Sequence, residues 1–362
     1  MSTMRKFERM AIRRERNFLQ KKSSFRTGSG ALNKLIAHDE RRVYFQAAAG
    51  KMVNTIDRVK LRAALRDLFV NRTATRKNLE RYSNYNSALL GLLSAILREM
   101  TKVTTGRKGL RITLIGVRFY LSGCDKAVKD LEVAKANGAE FVLMSYWWLK
   151  GKKEPFAHVK RLGLKVLLDS GAFTAFNKGE QLDVVEYGAF VLEHKEVIHA
   201  YITLDVIGDA AASAANDEYL RNLGLSPVPV FPAFGELADL ERLVAEDHDF
   251  ICIGGTAIRG INEETKRAAF QKIFTAFPDQ NFHWLGGSSS IIVEFPWFSA
   301  DSSTWLSGRK YGKLMSATFK TAKAPAGMDG FAALAHNVRI LAALEDIRIE
   351  EVESYYEIEL AA

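Results

Sequence analysis

The sequence predicts an α/β fold: a (β/α)8 barrel of the TIM type, preceded by a basic helical region and followed by a helical tail. Three observations carry this expectation. Between residues 112 and 301, eight short β-rich runs alternate with amphipathic stretches, the pattern of a parallel sheet covered by helices. Ahead of them the texture is helical, and no proline occurs in the first 154 residues. The charge divides at nearly the same place. Residues 1–108 hold 25 Lys/Arg against 8 Asp/Glu, a net of +17, and the remainder holds 26 against 34, a net of −8.

Taken in order, residues 1–22 are rich in Arg and Lys, with Phe7, Met10, Ile12, Phe18 and Leu19 interspersed, and read as a helix that orders on a partner. Ser23–Gly30 carries the loop formers that would end it. From Ala31 to Met100 the spacing is helical, with Leu61, Leu65, Leu68 and Phe69 at i, i+4, i+7 and i+8. Thr101–Gly109 reads as a hinge, which closes a first region at residues 1–108. The barrel is expected over residues 109–326. Its runs are Ile112–Val117, Phe141–Tyr146, Lys165–Asp169, Ala200–Asp205, Val228–Phe231, Phe250–Gly254, Asn281–Leu285 and Pro296–Asp301. Amphipathic segments such as Lys126–Ala136, Val184–His194, Leu237–Glu246 and Glu263–Phe277 separate them. Alternation does not establish closure, so an open doubly wound sheet stands as the alternative. Residues 327–362 form the tail, helical over Gly327–Leu344 and acidic thereafter.

Composition narrows the function classes. With 48% hydrophobic and 26% charged residues, the chain can bury a large core without disulfides or metal. Its two cysteines, Cys124 and Cys252, make neither a disulfide framework nor a zinc half-site, which fits a reducing cytoplasm. No run reaches the roughly 18 apolar residues of a membrane span, and no apolar segment marks a secretory signal. A basic region joined to an acidic body is the footprint of polyanion binding. Arg13, Arg14, Arg16, Lys21 and Lys22 form its densest cluster and are candidate phosphate contacts, with Arg259 and Arg309 further on.

Chemistry on such a barrel sits at the C-terminal ends of the strands. There the sequence places Asp169-Ser170-Gly171-Ala172-Phe173, Asp205, Gly254-Gly255, Gly286-Gly287 and Asp301, with Ser145 ending the second run. An aspartate after a strand often only caps the next helix. Three of them beside paired glycines suit glycosidic chemistry instead. One carboxylate can attack C1′ of a nucleoside while a second manages the proton of the departing and arriving bases. Phe173 can cover a purine face, Gly254 and Gly255 can offer backbone groups to its edge, and Ser145 can add a hydrogen bond.

These residues carry a resemblance. Ala134–Leu149 (AKANGAEFVLMSYWWL), Leu168–Phe173 (LDSGAF), Ile253–Gly260 (IGGTAIRG), His283–Gly287 (HWLGG) and Phe298–Ser302 (FSADS) resemble, in order and spacing, motifs of the tRNA-guanine transglycosylases. The resemblance implies Asp301 as covalent nucleophile and Asp169 as acid/base. It further implies base contacts from Ser170, Gly171, Phe173, Asp205, Gly254, Gly255 and Gly286, and no cofactor. The tRNA enzymes carry a zinc site of three cysteines and a histidine after the nucleophile; this chain has no cysteine beyond Cys252 and has a basic region ahead of the barrel. That combination looks more like the zinc-less relatives that insert 7-deazaguanine bases into DNA. The expectation is therefore exchange of guanine in DNA for a 7-deazaguanine such as preQ0, in a bacterial or phage-infected cytoplasm. The same exchange on tRNA, a non-catalytic nucleic-acid-binding protein on this barrel, and an unrelated barrel enzyme remain the alternatives.

Overall fold

A computed structural model describes residues 3–21, 24–98, 100–124, 128–152, 154–256, 260–316 and 319–344. The chain divides into two units, Met4–Ile115 and a second one beginning at Gly116. The boundary thus lies seven residues beyond the expected one at 108/109. Lys22, Arg259 and the acidic end of the tail fall outside the described residues.

The first unit is mixed α+β, which corrects the all-helical expectation. Helix α1 (Thr3–Lys21) turns Phe7, Ala11, Phe18 and Leu19 inward, and the Phe7 ring meets Phe69 at 4.7 Å. On the same face the carboxylate of Glu15, fully buried, accepts from Nε of Arg58 at 2.7 Å and of Arg62 at 2.8 Å. The helix is thereby packed within its own chain. An antiparallel meander follows, β1 (Ser24–Arg26), β2 (Leu32–His38), β3 (Arg42–Ala47) and β4 (Val53–Asp57), paired in that order. Phe25, Asn33, Val43, Phe45 and Ile56 are its buried positions.

Asp57 caps α2 (Arg58–Asn71), accepting from the amides of Val59 and Lys60. Leu61, Leu65, Leu68 and Phe69 form its buried stripe, as their spacing predicted. Strand β5 (Thr73–Thr75) and the one-turn α3 (Arg76–Leu79) lead to α4 (Asn86–Ile96), which is buried almost all round. A Cβ at Gly91 would lie 2.1 Å from the Arg26 carbonyl oxygen, so glycine is what lets α4 seat on β1. The expected hinge is instead strand β6 (Thr101–Gly106), joined by Arg107-Lys108 to β7 (Gly109–Leu114) in the sheet β5-β7-β6. Thr and Val at alternate positions favour the strand, and a two-residue turn between glycines closes the hairpin.

The second unit is the barrel. Its strands are β8 (Arg118–Leu121), β9 (Phe141–Ser145), β10 (Lys165–Asp169), β11 (Ile198–Tyr201), β12 (Val230–Pro232), β13 (Ile251–Gly254), β14 (Phe282–Trp284) and β15 (Ser299–Ser302). They run parallel in the order β11-β10-β9-β8-β15-β14-β13-β12. A parallel bridge between Ile202 and Val228 joins the two ends of that order. In it Thr203 N–H donates to Val228 O at 2.9 Å, and Val228 N–H donates to Tyr201 O at 2.8 Å. The alternative of an open sheet is thus excluded. The count of eight holds with one member exchanged, since residues 112–114 belong to β7 of the first unit and β8 opens the barrel.

Side chains alternate across each strand. Val142, Met144, Val166, Leu168, Ile251, Ile253, Phe282 and Trp284 join the apolar layer under the helices. The other set meets inside. Tyr120 contacts Phe141 at 5.9 Å, His199 at 6.4 Å and His283 at 5.7 Å, partners on three further strands that only a shared interior brings together. The last helix, Gly330–Ala343, buries Leu334, Val338 and Leu341 in the same apolar layer. The expected separate tail is therefore, as far as Leu344, part of the barrel. Among the described residues no helix is long and apolar enough to cross a membrane.

Candidate active site

Each barrel strand delivers its last residues to one end, and there the predicted carboxylates lie. Asp169 ends β10 and Ser145 ends β9, and the two are register partners on adjacent parallel strands. Asp301 on β15 pairs in register with Tyr120, the ring at the centre of the interior. Cys252, on β13, is buried, and its thiol is pushed well up, first by burial and then by the charges of Asp301, Asp169 and Asp205.

The turn after β10 is built by Gly171. It adopts φ +78° and starts the short helix Ala172–Asn177. A Cβ there would lie 2.5 Å from Trp147 Cβ and 2.6 Å from Ser145 Oγ. The missing side chain lets this turn rest on the end of β9, beside Asp169. Ser170 is buried. Phe173 is 54% exposed and Phe176 56%, so both rings of this helix stand open rather than covering a cavity.

Asp205 follows β11. Burial, with the charge of Asp217 second, raises its carboxyl from 3.8 to about 6. Nearby, the Tyr187 hydroxyl donates to Ile202 O at 2.6 Å. Burial and then the charge of Asp169 push that phenol well above its ordinary value, so it stays a neutral donor.

Asp301 is almost fully buried and firmly held. Its Oδ1 accepts from Gly286 N–H at 2.9 Å and faces His283 Nε2 at 3.4 Å. His283 is itself fully buried, with Nδ1 2.8 Å from Ser299 Oγ. The Gly286 N–H is thus engaged by Asp301, and the Gly254 carbonyl accepts from Ala233 N–H at 3.0 Å as the sheet ladder continues. Gly255 turns away at φ +78°, and the loop is pinned by Trp284 Nε1–H donating to Thr256 Oγ1 at 2.8 Å.

The basic candidates separate into groups. Arg13, Arg16 and Lys21 are exposed on α1 of the first unit. Arg14 is half-buried and donates to the Arg98 carbonyl at 2.9 Å. Arg309 is not a free cation; it pairs at 2.8 Å with Asp130, which is buried. Arg9, which lies one turn before Arg13 and was not singled out in the sequence, joins the exposed set. His283 and Ser299 were signalled only by their places in the HWLGG and FSADS segments; Ser299, two residues before Asp301 on one strand, shares its face. Among the described residues no group of three or more His, Cys, Asp or Glu is arranged to hold a metal ion.

No protein-family profile matches the sequence, and no curated protein matches it. Solved structures superpose weakly on about two thirds of this chain. Tryptophan synthase from M. tuberculosis is 12% identical over 64% of this chain and 92% of its own, with a TM-score of 0.40. The tryptophan synthase alpha chain from Legionella pneumophila subsp. pneumophila is 10% identical over 66% and 94%, with a TM-score of 0.42. A mutant alpha-subunit from Pyrococcus furiosus is 12% identical over 62% and 97%, with a TM-score of 0.41. Likeness at this level says nothing of activity.

Proposed function

We propose that the barrel is a base-exchange transglycosylase that replaces guanine in DNA with a 7-deazaguanine. The observation that carries this reading is the placement of Asp301, Asp169 and Asp205 at or just past the C-terminal ends of the parallel strands β15, β10 and β11, at one end of one barrel. An extruded guanosine enters the mouth. An oxygen of Asp301 gives an electron pair to C1′ as the C1′–N9 bond breaks, and guanine leaves with that bond pair and takes a proton from the Asp169 carboxyl. The incoming 7-deazaguanine loses its N9 proton to Asp169 and attacks C1′, releasing Asp301. Configuration is retained through two inversions. Asp205, its carboxyl raised by burial to about 6, is mainly a carboxylate at neutral pH and can accept from the base edge.

Two features support a nucleic-acid substrate, and DNA over tRNA. Arg9, Arg13 and Arg16 lie at i, i+4 and i+7 on the exposed face of α1, with no acidic partner among the described residues. Such a stripe suits phosphate contacts. The chain's two cysteines, both buried, are too few for the zinc site of the tRNA enzymes it resembles. The test is to incubate the protein with labelled guanine or preQ0 and either duplex DNA or tRNA. Label is expected in DNA and is expected to vanish in Asp301→Ala. Label in tRNA alone overturns the polymer, and undiminished incorporation by Asp301→Ala overturns the nucleophile.

A further inference from the structure

The two oxygens of Asp301 are not equivalent. Oδ1 takes the Gly286 N–H at 2.9 Å and faces His283 Nε2 at 3.4 Å. No hydrogen bond or ion pair engages Oδ2 among the described residues. His283 is buried, and its ring is walled by Tyr120 at 5.7 Å and Phe250 at 6.2 Å. At Nδ1 it meets Ser299 Oγ at 2.8 Å. The tautomer follows from charge. A lone pair at Nε2 would face a carboxylate oxygen, whereas Nε2–H presents the positive end of a dipole to it. The favourable arrangement places the ring proton on Nε2, and the Ser299 hydroxyl then donates to Nδ1.

We infer that His283 is a positioning residue for Asp301: oriented by Ser299, it fixes Oδ1 against the barrel wall and leaves Oδ2 as the attacking oxygen. The inference rests on the base-exchange reading for its chemistry. The bond that forms is Oδ2–C1′, while N9 leaves with the electron pair of the broken bond. The Ser-His-Asp sequence of contacts is not that of a hydrolase. Ser299 is fully buried and sits one strand-repeat below Asp301, so its hydroxyl can orient the ring but not attack a substrate. Nε2 makes no hydrogen bond in this structure: its 3.4 Å approach to Oδ1 is a charge–dipole contact, with a buried ring nitrogen facing the carboxylate.

Three variants test this. His283→Phe keeps a ring of similar size without the donor, His283→Gln restores an N–H near the Nε2 position, and Ser299→Ala releases the tautomer. Single-turnover transfer of labelled base to DNA is measured for each, with KM for the DNA, and crystal structures report the Asp301 carboxylate. His283→Phe is expected to slow transfer by about tenfold, the weight of a modest electrostatic contact to a charged group, with KM little changed. His283→Gln should recover most of the loss and Ser299→Ala should lie between. The Asp301 carboxylate should rotate off Gly286 in His283→Phe and stay in place in His283→Gln. Equal rates in His283→Phe and His283→Gln, or an unrotated carboxylate in His283→Phe, overturn the inference. If the unaltered protein transfers no base to DNA or tRNA, the base-exchange reading fails, and the carboxylate orientations still decide the positioning role. Should His283→Phe not fold, His283→Gln and Ser299→Ala carry the same comparison: Ser299→Ala as fast as the unaltered protein, with Asp301 in place, overturns it.

Discussion

Gly171→Ala places a methyl group where the turn after β10 lies on the end of β9. Two costs add. The residue keeps φ +78°, which costs a side-chain-bearing residue about 1 kcal/mol or more relative to glycine. The new Cβ then meets Trp147 Cβ at 2.5 Å and Ser145 Oγ at 2.6 Å. Trp147 Cβ is fixed to its backbone and Ser145 is buried, so the turn must lift, and overpacking of this kind costs about 1–3 kcal/mol. The total is about 2–4 kcal/mol. Gly179→Ala separates the two terms, because Gly179 has φ +67° and nothing within 4 Å of its Cβ position. It should show the backbone cost alone, about 1 kcal/mol. Urea denaturation of both variants measures the difference. Lifting the turn also moves Asp169, so base exchange should fall steeply in Gly171→Ala and remain near normal in Gly179→Ala. If the two variants are equally stable and equally active, the close approach of the turn to Ser145 and Trp147 is wrong.

Asp205→Asn and the arginines of α1 give two further outcomes. A carboxyl raised from 3.8 to about 6 keeps its proton longer in the folded state, so its contribution to stability falls as pH rises from about 4 to about 6. Above that it stands about 3 kcal/mol lower at most. Asp205→Asn should therefore stabilise the protein at pH 8, leave it little changed at pH 4, and flatten the profile between; an equal effect at both pH values in urea denaturation would refute this. Replacing Arg9, Arg13 and Arg16 together with Gln should make the salt dependence of duplex-DNA affinity shallower by about 2.7 in logarithmic slope, at about 0.9 per lost phosphate contact. Stability should move by less than about 0.5 kcal/mol, and an unchanged slope in fluorescence-anisotropy titrations would remove α1 from the interface.

The parts of the fold that could be read from the sequence are those whose polarity pattern has one explanation. Lys165–Asp169 is a strand at the residues expected, because VLL between two charged ends leaves a buried parallel strand little alternative. The helices over residues 58–71, 184–193, 237–245 and 263–276 follow their apolar spacing. Strand β8 was missed because its first residue is Arg118, which reads as surface. The guanidinium in fact lies 3.5 Å over the Phe141 ring in the barrel interior, a cation–π contact between strands that no local pattern reports. The meander β1–β4 was missed for a related reason: its strands are short and carry Lys34, Arg42 and Asp57 among the apolar positions, and a count of basic charges gives no period. At the site, the aspartates were legible from their places after strands. The commitment of the Gly286 N–H to Asp301 was not, since it joins residues 15 apart in sequence through the register of two parallel strands.

The central claim is that Asp301 becomes bonded to a deoxyribose. Protein is mixed with guanine-containing DNA, quenched in acid within one turnover, digested, and mapped by peptide mass spectrometry. The account predicts a glycosyl ester on the peptide carrying Asp301, absent in Asp301→Asn and discharged when a 7-deazaguanine is added before the quench. An adduct on Asp169 or Asp205 instead, or base exchange in DNA with no adduct on any residue, would contradict it.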